Sequence, residues 1–285
     1  MSRVRLALVA AAAVAAVALS ACSTNTAGEA VSDRGGVETS AGAVAKPTRW
    51  ISDLTSQSVP AEQRDTAGYR FGQLATGTGI WEHSDGVSTD AGCTAGPVVA
   101  PTMSPTNRGY LTAGHCDKSD RNKVLTFSDA AHTNPQFVGV YTPRKPGSLD
   151  ATSLWITGTA TSPSIAGRPV AGVLTEEATR APELIGQTVC VLGAVSGLVC
   201  GKLADATAQI VVDATTHEGD SGSAMFLVSD TGAATLIGIL TKSEKTGGTY
   251  GVIADTALRE LGAQVVTDPA AAAAVKGDAR YVTAS

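Results

Sequence analysis

Thr188-Val189-Cys190-Val191-Leu192-Gly193-Ala194-Val195-Ser196-Gly197-Leu198-Val199-Cys200-Gly201 reads as two apolar runs folded back on each other at a Ser-Gly turn, the grammar of a β-hairpin. The turn brings Cys190 and Cys200 together across neighbouring strands. The same short runs recur on both sides: Val98-Val99-Ala100, Gly109-Tyr110-Leu111-Thr112, Phe137 to Tyr141, Ser153 to Ile156, Ile210-Val211-Val212, Ala224 to Val228 and Leu236 to Leu240. With 31 Gly and 12 Pro among 285 residues, the chain is expected to be mostly β. That many strands can close as barrels. About 190 residues, from 76 to 265, is large for one small barrel and fits two, with a division near residue 165. Thr256 to Gly262 reads as a short helix ending at its glycine. The tail after Pro269, with five consecutive alanines, is expected to be loose, with a short helix as the alternative.

The chain opens with a targeting signal. Arg3 and Arg5 precede an uncharged apolar run from Leu6 to Leu19, shorter than the roughly 20 residues that span a bilayer. Export follows. The run ends in Leu19-Ser20-Ala21-Cys22, which resembles the bacterial lipobox and implies cleavage before Cys22 and lipidation of its thiol. Two acyl chains anchor stably where one is marginal. The expected location is therefore the cell envelope, on the outer face of the cytoplasmic membrane, with the membrane as a partner through this anchor; the alternative is an ordinary signal peptide and a secreted chain. Residues 22–75 read as a Ser/Thr/Ala/Gly-rich tether followed by a segment that is either a removed pro-segment or an extension packed on the main domain. Without residues 1–21, 19 Lys and Arg face 26 Asp and Glu. No basic cluster is present, which disfavours nucleic acid as a partner.

Setting Cys22 aside leaves four cysteines in an oxidising compartment, an even set with three possible pairings. The hairpin joins Cys190 to Cys200, which leaves Cys93 with Cys116. No two His or Cys occur at metal-ligand spacing, and no phosphate or dinucleotide fingerprint appears, so neither metal nor cofactor is expected.

Two motifs carry chemistry: Thr112-Ala113-Gly114-His115-Cys116 and Gly219-Asp220-Ser221-Gly222-Ser223. A serine hydroxyl is a weak nucleophile, so acyl transfer needs an imidazole to take its proton and a carboxylate to fix the imidazole's tautomer. Ser221 and His115 suit the first two roles. Glycines at 219 and 222 permit the tight turn that aims backbone N–H groups at a developing oxyanion, with Gly219 and Ser221 as donors.

These motifs, about a hundred residues apart, together with the hairpin from Val189 to Gly201, resemble the chymotrypsin-like serine proteases, in particular the bacterial branch that includes the streptogrisins. The resemblance covers roughly residues 76–266. It implies two packed six-stranded antiparallel β-barrels, about 76–165 and 166–255, with a short C-terminal helix; residues 267–285 are the expected loose tail beyond it. It also implies a Ser-His-Asp triad in the cleft, an acyl-enzyme intermediate and a protein or peptide substrate. Asp150, just before the run Thr152 to Trp155, takes the third catalytic position, with Asp129 as fallback. Thr241 matches the place of a supporting hydroxyl beside that carboxylate. Thr215, Thr216, His217 and Glu218, with Thr241, Lys242 and Ser243, are expected to line or border the substrate pocket.

Departures from the family pattern limit what carries over. Ser223 stands where most members have Gly, and the stretch Ala214 to Glu218 lacks the cysteine many members place there. No Asp lies at the expected pocket base, which disfavours cleavage after Arg or Lys, while His217 and Lys242 hint at acidic residues. Asp220 reads as structural, held by a partner that the sequence does not identify. His83, His132 and His217 read as packed or surface residues. The leading expectation is an extracytoplasmic serine endopeptidase, as a monomer. The alternative is a catalytically silent binding lipoprotein on the same scaffold.

Overall fold

The computed structural model describes residues 47–64, 71–84, 87–88, 92–118, 123–143, 147–156, 162–244 and 247–282. The leader, Cys22 and the tether up to residue 46 lie outside the described residues, as do residues 65–70 of the 48–75 segment.

Six strands of the second sheet close on themselves in the order Thr188–Gly193, Gly197–Asp205, Ile210–Asp213, Thr249–Ile253, Ala234–Ser243 and Ala224–Val228, each antiparallel to the next. The run Ala224-Met225-Phe226-Leu227-Val228 shows why the sequence folds this way. All five residues are buried. Met225 and Leu227 join Val191, Leu203, Ile210, Val212 and Ile237 in one apolar cluster. Ala224, Phe226 and Val228 join Leu236 and Ile239, and also Val99 and Leu111 of the other sheet. Successive side chains on a strand point to opposite faces, so a strand apolar throughout is one covered on both sides.

The first sheet runs Val98–Pro101, Gly109–Thr112, Thr152–Ile156, Gln136–Tyr141, Lys123–Thr126 and Gly79–Ser84 around Ile80, Val98, Tyr110, Val124, Tyr141 and Leu154. Cys93–Thr94 pairs with Gly79–Ile80 while Val98–Pro101 pairs with Gly109–Thr112. One stretch thus supplies both edges of the curl, bent at Ala95-Gly96-Pro97. Proline lacks the N–H that a continuous ladder needs, so this half is a curled sheet interrupted at the bend, where the family resemblance implies a closed barrel.

A helix at Ala254–Leu261 ends at Gly262 in the left-handed region, φ 61°, and Ala263–Val265 then pairs antiparallel with Val99–Pro101. In the tail from residue 267 the structure takes the alternative, a short helix, in place of a loose segment. Asp268 caps the helix Pro269–Ala274, its Oδ1 accepting from Ala270 N and Ala271 N at 3.0 Å each. Tyr281 is buried, pairs in an isolated bridge with Leu174 and shares a 2.9 Å hydrogen bond with Thr235. Alanine carries no apolar period to read, and the partners that order this tail lie far away in sequence.

Within the 48–75 segment, residues 48–59 are packed as a strap along the second barrel, while Phe71 stacks on Trp81 and Gly72 N–H donates to Phe127 O of the first half. Trp50 bridges Ser229, Ile51 N–H donates to Val228 O, and Gln57–Ser58 pairs with Leu198 and Gly197. Disulfides join Cys93 to Cys116 and Cys190 to Cys200, the second directly across the hairpin with a Cα separation of 4.0 Å.

Candidate active site

The pairing of Gly109–Thr112 with Thr152–Ile156 sets Thr112 opposite Thr152. His115, three residues past one, and Asp150, two residues before the other, therefore leave the sheet at the same end. Cys116 is buried and bonded to Cys93, which pins the Gly114–Cys116 turn and leaves the imidazole facing solvent. Asp150 holds His115 twice: Oδ1 accepts from His115 N at 2.7 Å and Oδ2 lies 2.8 Å from Nδ1. A carboxylate only accepts, so Nδ1 carries the proton and Nε2 is left with its lone pair. Asp129 is engaged elsewhere. It closes its own turn through Ala131 N, Thr133 N and the Thr133 hydroxyl, and these bonds lower its pKa, the Thr133 hydroxyl most.

Ser221 sits on a turn stitched to the first sheet. Thr94 N–H donates to Ser221 O at 2.7 Å, Thr94 Oγ1 to Gly219 O at 2.9 Å, and Thr112 Oγ1 to Thr94 O at 2.8 Å. Thr94 adjoins Cys93, whose disulfide partner adjoins His115. Glycine is required on both sides of this approach. Gly219 and Gly222 have φ of 95° and 93°. A Cβ on Gly222 would lie 2.0 Å from Thr112 Oγ1, and one on Gly96 would lie 2.5 Å from Gly222 O. The N–H groups of Asp220, Gly222 and Ser223 bond to His217 O, Leu240 O and Asp220 O. Those of Gly219 and Ser221 have no acceptor among the described residues, which suits them to receive an anion.

The partner of Asp220 is now plain. Its carboxylate is fully buried and accepts from Val195 N at 2.8 Å, Ser196 N at 3.0 Å, His217 N at 2.8 Å and the Ser196 hydroxyl. His217 Nδ1 lies 2.8 Å from that same hydroxyl. The hydroxyl has one proton and the carboxylate takes it, so His217 donates from Nδ1. Burial, then the charge of Arg64, lowers the His217 pKa against the opposing pull of Asp220.

Among the expected pocket residues, Gly222 N–H on Leu240 O brings the strand Ala234–Ser243 alongside Ser221. Thr216 Oγ1 lies 2.6 Å from Ser243 Oγ and 2.8 Å from Thr249 Oγ1, and Thr249 donates to Ala214 O. Lys242 Nζ is 2.8 Å from Glu244 Oε1 and 5.2 Å from the Tyr250 ring centre. Thr215 and Glu218 are exposed. Thr241 sits at the irregularity between Leu240 and Lys242. Thr94, Thr249 and Ser196 escape a motif reading because each acts across the fold; the unexplained buried role of Asp220 was the one signal pointing at Ser196.

Cys93, His115 and Cys116 place possible ligand atoms within 4.8 Å of one another. Both sulfurs are in the disulfide, so neither is a thiolate that could hold a metal.

No protein-family model and no curated protein matches this chain. Among solved structures it is similar to a glutamic-acid-specific serine protease described as using a histidine triad in substrate binding, with 18% identity, a TM-score of 0.50, and 68% of this chain and 100% of that one covered. Protease A of Thermobifida fusca and the Nocardiopsis protease NAPase are each 22% identical with a TM-score of 0.46, cover 98% of their own length, and cover 68% and 67% of this chain. The likeness is one of fold: the chain adopts the two-barrel architecture of the chymotrypsin-like serine proteases.

Proposed function

We propose that this protein is a serine endopeptidase that works outside the cytoplasm and hydrolyses peptide bonds through Ser221, His115 and Asp150. One observation carries the reading: an imidazole held through N and Nδ1 by a single carboxylate, and tied through the Cys116–Cys93 disulfide and Thr94 to a serine turn whose Gly219 and Ser221 N–H groups have no acceptor among the described residues. In this reading His115 Nε2 takes the Ser221 hydroxyl proton as Oγ attacks the scissile carbonyl. The Gly219 and Ser221 N–H groups receive the oxyanion. His115 then gives its proton to the leaving amine, which leaves an acyl ester on Ser221, and a water activated by the same imidazole releases the acid. Asp150 stays ionised and stabilises the imidazolium.

Two disulfides support an oxidising compartment, and no described helix is long and apolar enough to cross a membrane. We assign attachment to Cys22 and its lipid.

A fluorophosphonate reacts only with an activated serine, so it tests the chemistry without a known substrate. Labelling of the purified chain, lost in both Ser221→Ala and His115→Ala, is expected. A folded, disulfide-intact chain that is not labelled would overturn the reading in favour of a silent binding protein.

A further inference from the structure

The strap formed by residues 47–64 and the Ser221 turn meet at one residue of the Cys190–Cys200 hairpin. Gln57 and Ser58 pair with Leu198 and Gly197, Val59 N–H donates to Ser196 O at 2.9 Å, and the Ser56 hydroxyl receives Cys200 N–H at 2.9 Å. Val59 itself is buried. The strap thus continues the sheet onto the hairpin end and fixes where the Ser196 backbone lies. Ser196 in turn presents its N–H and hydroxyl to Asp220, and its hydroxyl also receives His217 Nδ1–H. Asp220 lies between Gly219 and Ser221, whose N–H groups have no acceptor among the described residues. Hairpin and carboxylate are in close contact as well: a Cβ on Gly193 would lie 2.2 Å from Asp220 Oδ1.

A buried carboxylate is expensive unless its lone pairs are filled. Here the filling groups come from one hairpin end and from His217 N, so whatever seats that hairpin end seats the turn. We propose that Ser196 is a positioning residue for the Gly219–Gly222 turn, and that the strap ending at Val59 acts through it. The strap at residues 47–59 is then a part of the working site and not a pro-segment to be removed. The inference rests on the protease reading for its catalytic consequence, and on geometry alone for its structural one.

The test uses the full chain with Ser196→Ala, Ser196→Thr and Val59→Pro, the last removing the N–H that reaches Ser196 O together with the buried valine side chain. Amide hydrogen exchange across residues 217–222 is measured beside kcat, KM and fluorophosphonate labelling rate, with thermal unfolding to confirm that each variant is folded. In Ser196→Ala and Val59→Pro, exchange of the turn amides is expected to rise at least about tenfold. Losing one aligned oxyanion donor costs on the order of 10² to 10³ in kcat, so a turn that is loosened but still present is expected to lose about tenfold or more in kcat with KM little changed. Ser196→Thr keeps the hydroxyl and is expected to restore most of both. Unchanged exchange in folded Ser196→Ala and Val59→Pro overturns this inference whatever the activity. A wild-type chain inert to fluorophosphonate overturns the protease reading and leaves the exchange result to decide this one.

Discussion

Asp150 decides which nitrogen of His115 can take a proton. Its two oxygens meet the backbone N–H and Nδ1 of the same residue, so the ring is fixed in both direction and tautomer. An amide in its place would keep the shape and lose the acceptor pair, since Asn can present its NH₂ to Nδ1 and stabilise the wrong tautomer. Asp150→Asn is expected to leave thermal unfolding nearly unchanged and to lower kcat on the order of 10⁴-fold. A loss under tenfold on a peptide substrate would remove Asp150 from the mechanism. Both members of the pair are partly open to solvent. Their contribution to stability is therefore small, and their arrangement matters for chemistry.

At the scale of elements, two walls beside Ser221 are tied together. Thr216 on the segment before the turn bonds Ser243 on one strand and Thr249 on the next. If these residues line the substrate pocket of the proposed protease, hydroxyls within 2.8 Å of one another leave little depth for a side chain. The two residues that hinted at acidic substrates offer no free cation there: His217 has a lowered pKa and donates to Ser196, and Lys242 is paired with Glu244. Cleavage after small residues such as Ala or Ser is expected in a peptide library. Ser243→Gly, which opens one wall, is expected to raise kcat/KM for Leu or Phe over Ala by about tenfold, the scale of one or two methylene groups in an apolar pocket. A wild-type preference for Glu would refute this account of the pocket.

Across the whole molecule, the N-terminal strap and the C-terminal tail clasp each other on the second barrel. Thr48 donates from N and Oγ1 to Asp278 Oδ2, Arg280 donates to Thr48 O at 3.1 Å, and its guanidinium lies 5.7 Å from the Trp50 ring centre. Hydrogen bonding from Arg280 is the main reason that the Asp278 pKa is lowered to about 2. A depressed carboxylate pKa stabilises the fold above its unfolded value, near 3.8, and the contribution is lost as pH falls toward about 2. Asp278→Asn is expected to lose about 1–2 kcal/mol at pH 7. Between about pH 4 and 2 the wild type is expected to lose that much more than the variant, both also losing what other lowered carboxylates such as Asp129 contribute; thermal unfolding over that range reads the difference. Equal acid sensitivity of the two proteins would show that the clasp does not depend on this charge.

Local chemistry was legible along the chain. Strand runs, the hairpin with its two cysteines and the glycines around Ser221 could be read directly, because strand period, turn geometry and left-handed φ act over a few residues. A carboxylate placed before an apolar run could likewise be matched to a family position. Less legible were the interrupted first sheet, whose bend at Gly96 answers to Gly222 O and Leu111 O, and the docking of the tail through Leu174 and Thr235. The partners of Asp220, the hydroxyl ties of the pocket and the passage of the strap over Ser196 belong to the same class. Each depends on groups tens to more than two hundred residues apart. Such pairs meet only once burial has removed water as their competitor, and no local pattern records which polar group will be left to satisfy which.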